Sequence, residues 1–217
     1  EKGTARGEVL FPTDVEVWPQ HTGSPTHLAV ADAGNQRAQI LSFATGTWTE
    51  LKRVGASSEP LAVAFVPPPP TPTQAEAGAP VGLLVADGVR HQIDRFELNG
   101  TYASSFSDWG FFPSLIASPG GIECVDGLYF IADTENHRVQ AFEQERPGDA
   151  NDGLRYRFGI HAIRPGEGEG SLHYPTDIAI DRDGVVIAIV EPPWRAHFHE
   201  RPIPCDPLSR EPPRAHP

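Results

Sequence analysis

Methionine is absent from the 217 residues, and lysine and cysteine occur twice each, as Lys2 and Lys52 and as Cys124 and Cys205. A chain led by Glu1 with no methionine is expected to be processed, trimmed or a piece of a longer polypeptide, and a removed signal peptide would leave no trace. Two cysteines are too few to indicate a redox compartment, so localisation stays open. They are read as unpaired thiols, with a bridge from the tail to the body as the alternative where geometry allows. No apolar run approaches the ~20 residues of a membrane helix, so no membrane insertion is expected. Basic residues number 17 against 29 acids, a formal charge of −12. A surface this acidic repels phosphate backbones, which disfavours nucleic-acid binding unless arginines gather on one face. Also missing are a serine nucleophile elbow, a phosphate-cradling glycine loop and a Cys-x-x-Cys pair.

What the chain does have is 39% apolar residues at a mean hydropathy of −0.33, enough for one medium globular domain with a core. It also has 21 glycines and 23 prolines, a composition of many turns and short strands rather than long helices.

One phrase recurs. Ile131-Ala-Asp-Thr-Glu-Asn-His-Arg-Val-Gln-Ala-Phe142 is echoed by Val30-Ala-Asp-Ala-Gly-Asn-Gln-Arg-Ala-Gln-Ile-Leu41 and by Val85-Ala-Asp-Gly-Val-Arg-His-Gln-Ile-Asp-Arg-Phe96. A degraded copy starts at Ile189-Val-Glu, placing the anchor acids at Asp32, Asp87, Asp133 and Glu191. Upstream of each anchor lies a proline followed by an alternating run, such as Pro12-Thr-Asp-Val-Glu-Val17 and Pro175-Thr-Asp-Ile-Ala-Ile180. Period-2 alternation sends one side of each strand to a packed face. A repeat of tens of residues implies stacked units, because a single small sheet cannot bury both of its faces.

The units are placed at about 11–53, 60–106, 119–159 and 175–200, within a domain of 7–200. The second is interrupted by a proline-rich loop at 67–80, expected to protrude into solvent. The fourth has three strands at most, since Pro202 and Pro204 forbid a regular fourth. The Pro-rich tail, 201–217, is expected to be disordered. In each turn the acid can accept from turn amides and pair with the arginine five residues on, Arg37 for Asp32 and Arg138 for Asp133. The second unit has Gln92 at that place, and the fourth is one residue short, with Arg195 nearest.

At these residues the sequence resembles the NHL-repeat family, whose units run from Pro-x-Gly-Ile through an apolar strand ending in Ala-Asp to Asn-x-Arg-Val-x-x-Phe. Pro119-Gly-Gly-Ile122 with the 131–142 phrase is nearly complete, and Asn136-His137-Arg138 occupies the triad that names the family. The resemblance implies an all-β fold, a β-propeller of NHL-type blades. Family rings have five or six blades and four repeats are recognisable. Either the ring closes with four, Glu8 to Phe11 lending a strand, or the chain is a partial ring. The likeness of Gly7-Glu-Val-Leu-Phe-Pro12 to Gly170-Ser-Leu-His-Tyr-Pro175, which lies between units, favours the partial ring.

The family includes one enzyme class, the peptidyl-hydroxyglycine lyase that completes peptide amidation, and the second unit resembles its first zinc-ligand segment, with His91 at the ligand position. The lyase's other zinc histidines follow the leading prolines of later blades, where this chain has Ser114 or Gly120, and Thr176. Catalytic zinc takes about three protein ligands, so the resemblance supplies one. His91 is therefore read as a solvated turn histidine. His197 and His199 share one face of the last strand, near Glu200 and Cys205, and are read as half-exposed rather than as ligands. Glu167 and Glu169 lack the oxygen density of a calcium loop.

The expectation is a soluble, non-catalytic scaffold that binds a protein or peptide on one ring face, without cofactor. Asp32, Arg37, Asp87, Asp133, Asn136, Arg138 and Glu191 would serve as structural turn residues. The alternative is a metal-dependent enzyme resembling the amidating lyase.

Overall fold

The computed structural model describes residues 3–19, 23–68, 78–125, 127–144, 154–160, 172–180, 186–190 and 197–198. These form strands almost throughout. The first sheet runs in the order β1 (Pro12–Trp18), β2 (His27–Asp32), β3 (Arg37–Ser42) and β4 (Thr47–Leu51). The second sheet is β5 (Pro60–Val66), β6 (Gly82–Asp87), β7 (Gln92–Phe96) and β8 (Tyr102–Phe106). The third is β9 (Pro119–Val125), β10 (Leu128–Asp133), β11 (Arg138–Gln144) and β12 (Leu154–Ile160), and the fourth is β13 (Pro175–Ile180), β14 (Val186–Val190) and β15 (His197–Phe198). Every pairing within these sheets is antiparallel. Helix among the described residues is confined to single 3₁₀ turns at Ala33–Asn35 and Thr134–Asn136, and no helix there is long and apolar enough to cross a membrane.

Each sheet opens on a proline, Pro12, Pro60, Pro119 or Pro175. Proline has no amide to donate, and the first position of a strand does not require one. The register slips by one residue just after each of them. This recurring bulge leaves the proline opposite the anchor acid, as in Pro12 with Asp32, Pro60 with Asp87 and Pro119 with Asp133. The fourth sheet departs from the pattern: Pro175 faces Val190. Glu191, the expected fourth anchor, lies outside the described residues, as do His199 and the tail at 201–217.

The sheets stack face to face in chain order, and alternation along the central strands of the second and third sheets feeds two cores. In β6, Leu83 and Val85 join Ala29, Ala31 and Ile40 of the first sheet, while Leu84 and Ala86 join Tyr129, Ile131 and Phe142 of the third. In β10, Tyr129 and Ile131 face back, while Phe130 and Ala132 face forward to Ile178 and Ile180 of the fourth. A strand covered on both sides is buried throughout, as β6 is.

The first sheet has one face without such cover. The third residue after the leading proline is 1%, 5% and 3% exposed as Val63, Ile122 and Ile178, but 61% exposed as Val15. Val17, two residues on, is also exposed.

The proline loop corrects an expectation. Residues 69–77 lie outside the described residues, but the returning end packs on the body: the Trp18 indole donates to the Gly78 carbonyl at 2.9 Å and Pro80 is buried. Cys124 is a free buried thiol whose pKa burial pushes up to about 12, which disfavours the thiolate.

Candidate functional site

The meander brings two kinds of connection to one end of the first, second and third sheets: the turn between the second and third strands, and the linker segment that leads into the first strand. The repeated turn residues fasten them together.

In the third sheet Asp133 is fully buried and accepts from five donor contacts. The Ala117 amide reaches Oδ1 at 2.7 Å, and Asn136 Nδ2 reaches both oxygens at 2.9 Å. Arg138 Nε reaches Oδ2 at 2.6 Å and Gln140 Nε2 reaches it at 2.9 Å. Burial pushes the Asp133 carboxyl above the usual carboxylate range, against the pull of these donors. The remaining donors hold the linker by its backbone. Arg138 donates to the carbonyls of Phe111, Phe112 and Leu115, Asn136 to that of Gly110, and Gln140 to that of Leu115.

The first sheet repeats this set. Asp32 accepts from the Leu10 amide, Asn35, Arg37 and Gln39. Arg37 donates to the Ala5 and Glu8 carbonyls, Asn35 to that of Gly3, and Gln39 to that of Glu8. The Gly7 amide donates to Gln39 Oε1 as the Ser114 amide donates to Gln140 Oε1. Gly7 and Ser114 share a left-handed backbone, φ 80° and 70°. Thus residues 3–10 and 110–117 are two linkers fixed in the same shape by contacts to their main chains. The acids were expected to accept from the amides of their own turns. In these two sheets the amide comes from the linker instead, while the turns close by 3₁₀ bonds from the Gln36 and His137 amides to the carbonyls of Ala33 and Thr134.

The second sheet solves the same problem with the charges moved. Arg90 occupies the asparagine place, where its amide donates to Asp87 Oδ1 at 2.9 Å and its Nε to Oδ2 at 3.1 Å. Its guanidinium also bonds Asp94, which stands where the other sheets have glutamine. Ser58 completes Asp87 at 2.6 Å. Gln92, at the usual arginine position, turns outward to Asp108 and Arg53. The fit is less complete, since Arg90 Nη1 and Asp94 Oδ1 are buried without a hydrogen bond, although Arg53 lies 3.7 Å from that oxygen.

Sequence reasoning missed Gln39, Asp94 and Gln140. The available signal was a polar residue seven places after Asp32, Asp87 and Asp133, each directly after an apolar one. All three are buried.

The residue after each turn, Gln36, His91 or His137, sits at φ 52° to 55°. His91 is not a solvated turn residue: it is half-buried, and its Nδ1 accepts the Ser118 amide at 2.8 Å. His137 likewise accepts the Tyr174 amide at 3.1 Å. Each histidine thereby ties its turn to the residue before the next sheet's proline. Burial lowers the His137 pKa, and nearby His173 lowers it further. Only the backbone of His197 is described, in β15. No group of three or more His, Cys, Asp or Glu among the described residues is placed to hold a metal ion.

No family model and no curated protein sequence matches the chain. Solved structures do. Hydrazine synthase of Kuenenia stuttgartiensis aligns with a TM-score of 0.58 at 13% identity, over 87% of this chain and 44% of that one. A functionally unknown protein of Desulfotomaculum acetoxidans aligns at 0.55 and 14%, over 83% and 49%, and a protein of unknown function from Bacteroides caccae at 0.54 and 15%, over 87% and 58%. The chain spans about half the length of the structures it matches, and at such identities the likeness is one of fold: an all-β array of antiparallel sheets, with propeller-like neighbours.

Proposed function

We propose that the chain is an arc of a β-propeller, four consecutive blades of the NHL type, and that it works as a non-catalytic scaffold binding a protein or peptide on the face built by its linkers and turns. Four-stranded meanders stacked in chain order suit radial blades, and the uncovered face of the first sheet suits a partial ring better than a closed ring of four. Since a fold hosts many functions, the functional reading has to rest on the site itself. The observation that carries it is the fastening of linkers through backbone carbonyls. It makes one end of the molecule rigid while the linker side chains remain free to vary, the arrangement of a recognition surface on a stable frame.

The test is to pan a random-sequence peptide library on the immobilised chain and to map selected binders by amide hydrogen exchange. Protection at residues 3–11, 52–59 and 107–118 and at the adjoining turns is expected. An absence of selected binders, or protection at the opposite ends of the sheets, would refute the reading.

A further inference from the structure

The two matched linkers form an internal control. Residues 3–10 and 110–117 present matching carbonyls to matching donors, except that Arg138 Nη1 takes the Phe111 carbonyl where Arg37 Nη1 turns to Glu50, yet their side chains at the second and third places differ completely. Thr4 and Ala5 stand where the second linker has Phe111 and Phe112. The fold of the linker therefore does not require aromatic side chains at those places. Nor do they stabilise by burial: Phe111 and Phe112 are 65% and 63% exposed, and Trp109 beside them is 64% exposed. The two phenylalanine rings lie against each other, 4.6 Å between centroids.

Their support is stiff. Arg138 fixes the carbonyls of both phenylalanines, Trp109 bridges to Ile116, and the Ser107 hydroxyl donates to the Ser114 carbonyl at 2.8 Å. Three large exposed aromatics within four residues of a prearranged loop, two of them in ring contact, have the composition and rigidity of a binding hot spot, where little ordering entropy remains to be lost on association.

Charge selects the partner. Asp108 is exposed at the start of the loop, and exposed Glu135 lies in the turn whose amide bonds the loop at Ala117. Among the described residues the nearby cations are engaged: Arg138 with Asp133, and Arg53 with Asp94. The chain as a whole carries −12. Aromatic platforms of this kind also stack nucleobases, but the surrounding charge repels a phosphate backbone. We infer that Trp109, Phe111 and Phe112 form a docking surface for a basic protein segment bearing aromatic or aliphatic anchors. This rests on the scaffold reading above and names its partner class.

The experiment pans the same peptide library on the full chain and compares it with the variant Phe111→Thr/Phe112→Ala, which carries the first linker's residues. Selected peptides should combine an apolar anchor with Lys or Arg, and their affinity should fall at least about tenfold in the variant, whose thermal midpoint stays unchanged. Glu135→Lys, independent of the aromatic pair, should weaken the same peptides about threefold or more and flatten their salt dependence. Peptides that bind wild type and variant equally would overturn the inference and leave the scaffold reading standing. No selected peptides at all would overturn both. Selection of acidic peptides, or loss in the variant of tight binding to a single-stranded oligouridine probe, would overturn the choice of a basic protein partner.

Discussion

Replacing Asp133 with alanine exposes how the linker and the turn depend on a single carboxylate. The side chain is buried and receives Ala117 N–H, Asn136, Arg138 and Gln140. Not all of these donors are orphaned by the change. Asn136 keeps the Gly110 carbonyl, Gln140 keeps Leu115, and Arg138 keeps three carbonyls. What has no substitute is the counter-charge of a nearly buried guanidinium and the acceptor for the Ala117 amide. Removing one partner of a buried ion pair costs about 3–5 kcal/mol, and an unsatisfied buried amide costs about 1–3 kcal/mol. Because these terms overlap in one network, the expected loss is about 4 kcal/mol, a large part of the 5–15 kcal/mol typical of a domain. Asp133→Asn keeps the shape and the acceptor for the Ala117 amide but not the counter-charge, so it should cost less by only the amide's share, on the order of 1 kcal/mol. Both are measured by urea unfolding, with the slope of free energy against urea checked for constancy. A loss below about 1 kcal/mol for Asp133→Ala, or no difference between the two variants, would refute the account of this network.

Other outcomes follow from the remaining contacts. His137 has a folded pKa below the ordinary value of 6.5. Its neutral form accepts the Tyr174 amide, so stability is full above about pH 6.5 and declines as the pH falls through that value, because the unfolded chain takes the proton first. His137→Asn should reduce this decline in pH-dependent unfolding, with His27, also lowered by burial, supplying part of what remains. In the second sheet, Arg90→Asn and Gln92→Arg should each destabilise, while the pair together costs less than the sum, since they restore the charge order of the first and third sheets; a double-mutant cycle reads this coupling. Deleting residues 69–77 should leave the thermal midpoint within a few degrees. Extending the deletion through Gly78 and Pro80 should lower it further, by removing the Trp18 acceptor and a buried ring.

The strands and their order were legible because alternation and the leading prolines are local signals repeated four times. The pairing of Asp133 with Arg138 was legible for the same reason. The linker's role was not, because Arg138 reads carbonyl groups, which every residue carries; nothing in Gly-Phe-Phe-Pro or Gly-Thr-Ala-Arg announces that those oxygens are bound. The exchange of roles between Arg90 and Gln92 was hidden differently. Matched by position, the second unit lacks its arginine, and only the geometry shows the charge displaced by two residues and balanced by Asp94. In the fourth sheet the register sets Val190 opposite the leading Pro175, a pairing that spacing alone did not indicate.

The bare face of the first sheet bears on how the molecule comes apart. Stacked sheets behave as a short one-dimensional lattice, each site stabilised by its own ladder and by coupling to its neighbours. The second and third sheets have two such couplings. The first has one, through the core shared by Ala29, Ile40 and Val85, and its outer side around Val15 and Val17 contributes none. Opening therefore starts by fraying from that end: β1 and β4 exchange their amides first, β6 and β10 last, and the free energy of opening rises sheet by sheet toward the middle of the array.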